Sequence, residues 1–298
     1  MEALFIGQPY IDVTFLADRM PVGDEKDVAR EYAVSFGGNA VTAAFCCAKL
    51  GIKPDLLATR ANDWLGRMFQ DMTDKYDIDL HIRKVARSSL SFVRPHAGKR
   101  AILRGRDDTY LHPFPLLDLT GCRALHLDGH LPDAAMHYVT HCREAGIFTS
   151  LDGGAVRANT LELLPFTDVA IVAERFCEQM GMTPPETLDY LKGRGCRIGG
   201  VTLGERGLLW YDENGKVGTL PALPIPPHRI IDTSGAGDVF HGAYMYSYLA
   251  NPQKRWEEHF VFARAAAAFK VQRLGNEAGL PTHDDIQAIY REFGQAAA

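Results

Sequence analysis

Short apolar segments alternate with amphipathic segments through the second half of the chain. Segments 124–128, 148–152, 169–172 and 199–203 have the length of buried strands, while 133–145 and 186–192 have the length and spacing of helices. Strands that alternate with helices are typical of βαβ units. The pattern therefore predicts an α/β fold with a central, mostly parallel sheet that helices flank.

The first third of the chain adds elements of two kinds. An apolar strand at 4–7 is followed by Asp12, and a segment at 37–51 opens with two glycines and closes with one, as a helix does. Polar residues that follow a strand of an open α/β sheet lie where ligands gather, although an aspartate in a turn is usually only a turn former. Residues 13–35 instead alternate around Pro21-Val22-Gly23-Asp24, which predicts a small hairpin.

The most cationic stretch of the chain lies between 88 and 106. Arg100, Ile102, Arg104 and Arg106 recur at a period of two, so a strand would present them on one face. One interpretation is an exposed strand whose charges prevent edge pairing. The other is that these arginines reach an anionic group of a substrate, such as a phosphate, carboxylate or sulfonate.

A loop that becomes a helix at Gly235-Ala236-Gly237 carries the strongest chemical signal. Residues 226–231 resemble a strand, and an apolar helical run extends from 239 to 249. The first amides of a helix lack partners within it, and small residues let a ligand approach them, so this segment predicts a cradle for a phosphate. Asp238 is either a helix cap or a general base beside the transferred phosphoryl group.

Composition narrows the class of protein. The chain has 298 residues, of which 46% are hydrophobic and 23% charged, with a net charge of -5 and six cysteines. These values exclude a disordered chain and argue against a general nucleic-acid binder. The cysteines lack Cys-x-x-Cys or zinc spacing, and neither a leader nor an apolar run of membrane-spanning length is evident, so we expect a cytoplasmic protein without disulfides or structural metal.

Three segments resemble the ribokinase family of sugar kinases, also called the PfkB family. Asp232-Thr233-Ser234-Gly235-Ala236-Gly237-Asp238, followed by Gly242-Ala243, resembles the C-terminal signature. Gly37-Gly38-Asn39-Ala40-Val41-Thr42-Ala43-Ala44 resembles the N-terminal signature, except that Thr42 replaces a common asparagine. Val201-Thr202-Leu203-Gly204-Glu205-Arg206-Gly207 is similar to the loop on the nucleotide side.

The resemblance implies a ribokinase-like fold in one domain, 1–298, with a small β lid from insertions at about 13–35 and 89–106. It implies transfer of a phosphoryl group from ATP to a sugar hydroxyl, with Mg²⁺ on the phosphates and K⁺ as a further cofactor. Lid strands of the family can pair across a homodimer. The family's Asn-x-x-Glu after the strand at 169–172 lacks its asparagine here, so neither Glu174 nor Glu178 is assigned to magnesium.

The resemblance also implies the site residues. Asp238 is the base, with an anion hole at Gly235, Ala236 and Gly237. The substrate-binding set is Asp12, Gly38, Asn39, Lys26 and Arg104; the ATP-binding set is Thr202, Gly204, Gly207, Gly237 and Asn276; Asp232 and Ser234 hold a monovalent cation.

Short patches favour one side of the family. Ala278-Gly279-Leu280-Pro281, Leu151-Asp152-Gly153 and the Thr42 substitution are similar to ketohexokinase and sulfofructose kinase, which favours a ketose. Nucleoside and acid-sugar kinases stay open, as does a sugar- or nucleotide-binding regulator without turnover. A nicotinamide-binding oxidoreductase is disfavoured because no Gly-x-Gly-x-x-Gly follows the first strand.

Overall fold

A central sheet of nine strands organises the computed structural model, which describes residues 1–96 and 99–294. In sheet order the strands are β13 (Val217–Leu220), β12 (Leu208–Tyr211), β11 (Ile198–Thr202), β10 (Val169–Ala173), β9 (Phe148–Gly153), β8 (Ala124–Leu127), β1 (Ala3–Gly7), β4 (Pro54–Arg60) and β5 (Asp79–Lys84). All neighbours are parallel except β12 with β11 and β13. The prediction of a mostly parallel α/β sheet is confirmed.

Helices cover both faces of this sheet. In chain order they are α1 (Asn39–Leu50), α2 (Trp64–Lys75), α3 (Pro132–Glu144), α4 (Thr160–Leu163), α5 (Glu174–Met180), α6 (Pro184–Gly193), α7 (Ala236–Ala250), α8 (Trp256–Lys270) and α9 (His283–Phe293). Successive residues of a strand point to opposite faces. Ala3 and Phe5 of β1 accordingly join a core with α1, α7, α8 and α9, whereas Leu4 and Ile6 join a core with α3, α5 and α6.

A second sheet of four strands stands beside the first and is named the small sheet here. Its order is β3 (Glu31–Gly37), β2 (Tyr10–Leu16), β6 (Leu90–His96) and β7 (Lys99–Gly105). β2 pairs antiparallel with β3 and parallel with β6, and β7 pairs antiparallel with β6. These strands come from the two stretches that the sequence assigns to a β lid, although β2 begins three residues earlier than 13.

The expectation of a strand at 226–231 is wrong. The segment contains a single turn of 3₁₀-helix at Pro227–Arg229 and then continues as a loop. Pro226 and Pro227 have no N–H to donate to a ladder, which explains why no strand forms there. The loop is held instead by the backbone carbonyl of Val271, which accepts from the amides of Ile231 and Asp232 at 2.8 and 3.2 Å.

The two helices that carry the family signatures pack directly against each other. α1 and α7 cross so closely that a Cβ added at Gly242 would lie 2.4 Å from the carbonyl oxygen of Ala43 and 2.7 Å from Cβ of Cys46. Contacts this short do not occur between real atoms, so glycine is required at this position. The crossing fixes the start of α7 relative to the start of α1. No helix in the described ranges is long and apolar enough to span a membrane.

Candidate active site

A cavity of about 1060 Å³ lies along the carboxyl ends of five adjacent strands. It is lined by Gln8 after β1, His130 after β8, Asp152 of β9, Ala173 of β10 and Thr202 of β11. Four spacings between neighbouring strands make this edge about 19 Å long. The cavity is therefore long enough for two ligands placed end to end.

β7 of the small sheet forms one wall of the cavity. Arg100, Ile102, Arg104 and Arg106 all line it, so the predicted period of two is present and faces inward. Arg100 Nη1 donates to the carbonyl of Thr233 at 3.2 Å, and the Arg104 guanidinium lies 4.7 Å from the centre of the Tyr10 ring. Arg100 therefore connects the small sheet to the loop that precedes α7, whereas Arg104 packs on a ring of β2 within the same sheet.

The start of α7 has the backbone geometry that the predicted anion cradle requires. Gly235 adopts a φ of 72°, in the left-handed region, and a Cβ there would lie 2.2 Å from Oδ1 of Asn276. Ser234 N donates to Asp232 Oδ1 at 2.9 Å and fixes the turn before the helix. A Cβ at Gly237 would meet nothing within 4 Å, so the first turn of α7 is open toward the cavity.

Asp238 also belongs to this first turn and lines the cavity. Burial and then the nearby carboxylate of Asp152 raise its pKa well above the ordinary aspartate range, although Arg100 and Arg104 act in the opposite direction. A carboxylate with a raised pKa is a better proton acceptor once it is ionised. Its position beside the open amides suits a general base next to a phosphoryl group.

Asp12 and Asn276 lie together on the side of the cavity that the small sheet covers. Asn276 Nδ2 donates to Asp12 Oδ2 at 3.2 Å and to the carbonyl of Phe36 at 2.8 Å. Burial raises the pKa of Asp12 to about 6, against the effects of a hydrogen bond from Ser91 and the charge of Arg104. Asn276, which the resemblance places at ATP, therefore contacts the predicted substrate-binding carboxylate.

Asn39, the first residue of α1, connects two groups that the sequence did not single out as site residues. Its Nδ2 donates to Asp152 Oδ2 at 3.0 Å, and its Oδ1 accepts from Arg157 at 3.4 Å. Arg157 also donates to the carbonyl of Asp128 at 2.7 Å. Burial alone would raise the pKa of Asp128, but His130 and Arg157 hold it at about 2, so Asp128 is ionised.

Asp128 and Asp152 follow predicted strands, and this was the signal that could have identified them. Both aspartates end predicted strands, at 124–128 and 148–152, and neither has a predicted role in the site. A polar residue at the carboxyl end of a buried parallel strand is a candidate for ligand binding in any open α/β sheet.

A buried polar chain lies beneath Asp152. His241 Nε2 lies 3.6 Å from Asp152 Oδ2, and its Nδ1 lies 3.0 Å from the Tyr244 hydroxyl. Ser150 Oγ lies 2.5 Å from that hydroxyl and 2.9 Å from Nδ1 of His126. Burial lowers the pKa of both His241 and His126, so these buried side chains add no positive charge next to Asp152 at neutral pH.

Five predicted site residues lie outside the cavity lining. Lys26 lies on the exposed loop between β2 and β3, and Ala236 is the residue of the first turn that does not face inward. Gly204 and Gly207 flank the short turn after β11, where a Cβ at Gly207 would lie 2.1 Å from the carbonyl of Leu220. Packing against β13 is therefore sufficient to explain why residue 207 is a glycine, and no contact with a nucleotide is needed for this. Asp232 is buried and paired with Lys270 at 3.1 Å.

Similarity to known proteins agrees with this arrangement. Residues 2–283 match the model of the pfkB family carbohydrate kinases. A deoxyribokinase of Salmonella typhi is 25% identical over 305 aligned residues, which cover 95% of this chain and 96% of the relative. The chain belongs to the pfkB family of carbohydrate kinases, and it is accordingly a sugar kinase by family.

Solved structures share the whole fold. A putative ribokinase from Agrobacterium tumefaciens superposes with a TM-score of 0.87 at 24% identity, covering 98% of this chain and 97% of its own. A putative ribokinase II from E. coli, solved in complex with ATP and Mg²⁺, superposes with a TM-score of 0.80 at 18% identity, covering 98% and 99%. The predicted ribokinase-like fold is confirmed.

Proposed function

We propose that this protein transfers the γ-phosphoryl group of ATP to a hydroxyl of a sugar, with Asp238 as the general base. The observation that carries the proposal is the position of Asp238. It lies in the open first turn of α7, and both Asp152, at the middle of the strand edge, and Asp12, on β2 of the small sheet, are close enough to raise its pKa. A sugar near Asp12 and a triphosphate at the helix start would meet at this carboxylate.

The amides at the start of α7 supply the second requirement of phosphoryl transfer. Charge spreads over the oxygens of the transferred group, and N–H donors aimed at it stabilise the transition state. The positive end of the α7 dipole adds to this effect. Arg100 and Arg104 stand close enough to Asp238 to lower its pKa, so they would also neutralise charge on the transferred group.

The donor set fits magnesium carried in by a nucleotide. Within the described ranges, no three His, Cys, Asp or Glu side chains could hold a metal together. Mg²⁺ is usually held by substrate phosphates, waters and one or two carboxylates. Asp152 is the carboxylate that lines the middle of the cavity and would hold the ion, which supplies charge neutralisation of the phosphates when bound.

The two ends of the cavity suit the two substrates. Thr202, Ala173 and Arg175 line the end formed by β10 and β11, and we assign this end to ATP. Asp12, Gly38 and Asn39 line the other end, beneath the small sheet, and we assign it to the sugar. Carboxylate and amide side chains suit sugar hydroxyls because they offer both acceptors and donors.

The sugar that we propose is a ketose with an anionic substituent. The ketose preference rests on the short sequence resemblances given above. The anionic substituent is supported by Arg100 and Arg104 of β7 and by Arg106 directly after it, all of which line the cavity. Arg106 is paired with Asp108 at 2.6 Å, so Arg104 is the better candidate for a contact with the substrate.

The test is ADP release from MgATP across neutral ketoses, aldoses, nucleosides and anionic sugars. Asp238→Asn should lower turnover about a hundredfold or more, because the proton acceptor is lost. Near-normal turnover in that variant would remove Asp238 from the base role. If the wild type binds ATP but releases no ADP with any sugar or nucleoside of the panel, the non-catalytic regulator is favoured.

Arg104→Ala tests the substrate class separately. We expect it to reduce kcat/KM for an anionic sugar at least about tenfold and to change that for a neutral analogue little, since a charged hydrogen bond is lost only with the former. Arg255→Ala is the matched control because Arg255 lies on the surface and pairs with Glu258. Equal losses on both sugars would refute the proposed contact.

A further inference from the structure

The side chain of Lys270, the last residue of α8, is completely buried, with 0% of it exposed. Its ammonium group has three protons to donate. Three oxygens accept them: the backbone carbonyl and Oδ2 of Asp232, at 3.2 and 3.1 Å, and the backbone carbonyl of Arg273, at 3.3 Å. Donors and acceptors are therefore matched in number at this buried cation.

These oxygens belong to the loop that leads into the proposed phosphate cradle and to the segment after α8, whose Asn276 lies next to Gly235. Asp232 begins the segment 232–237, which we name the anion loop. Its Oδ1 accepts from the amide of Ser234 at 2.9 Å, and its Oδ2 accepts from the amide of Gly275 at 3.0 Å. The Lys270 ammonium thus joins the anion loop to the segment that follows α8.

The surrounding chain is shaped to admit this lysine. A Cβ at Gly279 would lie 2.0 Å from Cδ of Lys270, so a larger residue there would displace the side chain. A Cβ at Gly235 would lie 3.6 Å from Cε of Lys270, which places the stem of the lysine directly under the first residue of the cradle. The lysine is consequently part of the support of the anion loop.

We propose that the Lys270 ammonium is a built-in monovalent cation that holds the anion loop in its phosphate-binding form, so that this kinase needs no K⁺. The proposal rests on the proposed function and replaces the cation site expected at Asp232 and Ser234. K⁺ in proteins is bound by carbonyl and carboxylate oxygens in place of its water shell. Here the carbonyl and one carboxylate oxygen of Asp232 already bind a cation.

Charge balance gives Lys270 a second effect on the site. The Asp232 carboxylate is close enough to the cavity to raise the pKa of Asp12, so its charge is felt there. Without the lysine, a buried and uncompensated carboxylate would stand behind amides that must attract a phosphate. Lys270 is therefore a positioning residue that also keeps the anion loop attractive to anions.

The experiment compares K⁺ with choline at equal ionic strength. We expect the affinity of the wild type for MgATP and its melting temperature to be the same in both salts. Lys270→Ala should bind MgATP at least about tenfold more weakly in choline, because the buried Asp232 carboxylate is left without a compensating positive charge. K⁺, ammonium or methylammonium should restore much of this binding, since a small cation can occupy the vacated space.

Lys53→Ala is the matched control, because Lys53 makes only exposed ion pairs with Asp77 and Asp79. It should show no dependence on the salt. A wild type whose MgATP affinity rises about tenfold or more with K⁺ would overturn the proposal, and this arm needs no variant to fold. An equal loss in Lys270→Ala with every cation would also overturn it, since the lysine would then be only structural.

The outcome for Lys270 can be separated from that for the kinase proposal. Binding and melting are measured without a sugar, so they do not depend on which substrate is phosphorylated. If the chain does not bind MgATP, the proposed function fails. The cation proposal is then supported if K⁺ or ammonium, but not choline, raises the melting temperature of Lys270→Ala, and it is refuted if neither cation does.

Discussion

Replacing Gly242 by alanine should damage both stability and catalysis, although Gly242 does not line the cavity. The added Cβ would lie 2.4 Å from the Ala43 carbonyl oxygen, where ordinary contact begins at 3.4 Å. α7 must therefore move away from α1 by about 1 Å, because backbone atoms on both sides prevent a local adjustment. Overpacking of this kind costs about 1–3 kcal/mol of unfolding free energy.

The same displacement separates two parts of the site. Asp238 is carried by α7 and Asn39 by α1, so a shift between the helices changes the distance from the proposed base to the end of the cavity that we assign to the sugar. A misplacement of about 1 Å can cost about a hundredfold in rate. Urea unfolding and kcat/KM should both be measured, with unfolding expected to remain a single transition.

Gly193→Ala is the control for this variant. Gly193 is the last residue of α6, and a Cβ there would meet nothing within 4 Å. Alanine at such a position should stabilise the protein by about 0.4–1 kcal/mol through the unfolded state. If Gly242→Ala were as stable and active as the wild type, the close crossing of α1 and α7 would not be what positions the site.

Three further predictions concern the carboxylates of the cavity. Asp152→Asn removes a charge that raises the pKa of Asp238, so the acid limb of the pH profile of kcat/KM should move to lower pH; an unchanged limb would mean that Asp238 is not the titrating group. Asp12→Asn should raise KM for the sugar about tenfold with a smaller change in kcat, and wild-type KM should rise below about pH 6 as Asp12 takes up a proton. Asp238→Asn should be at least as stable as the wild type at neutral pH, because the raised pKa means that the folded state binds the Asp238 proton more tightly than the unfolded state does. The unfolding free energy of the wild type therefore falls as the pH rises from the unfolded-state pKa of Asp238 to its folded-state pKa. Urea unfolding of both proteins at several pH values measures this, and an Asp238→Asn variant less stable than the wild type at neutral pH would contradict the prediction.

Much of the fold could be predicted because its signals are local. Strands β8 to β11 are short buried segments that alternate with helices, and α7 begins at the glycines that the sequence indicates. The strand predicted at 226–231 does not form because Pro226 and Pro227 cannot donate the hydrogen bonds that a strand needs, although the neighbouring residues are apolar. The alternating arginines of β7 were identified because a period of two is visible in the sequence alone.

The rest of the site depends on contacts between distant segments, which no local pattern encodes. Asn39 and Asp152 are separated by 113 positions, and Lys270 and Asp232 by 38. A lysine at the end of an Ala-rich helix normally lies at the surface. Its burial follows from Gly279, which leaves room for the stem, and this pairing can be found only once the chain is folded.

The cavity of this acidic protein brings together cationic and acidic side chains from different parts of the fold. The arginines of β7 come from the small sheet, whereas Asp152 and Asp238 come from the central sheet and from α7. The relative position of the two sheets therefore sets the balance of charge around Asp238, since Arg100 and Arg104 lower its pKa while Asp152 raises it. A movement of the small sheet away from the cavity would weaken the cationic contribution and make Asp238 harder to ionise. With β7 in its present place, Arg100 and Arg104 therefore make the proposed base, Asp238, easier to ionise than burial and the Asp152 charge alone would allow.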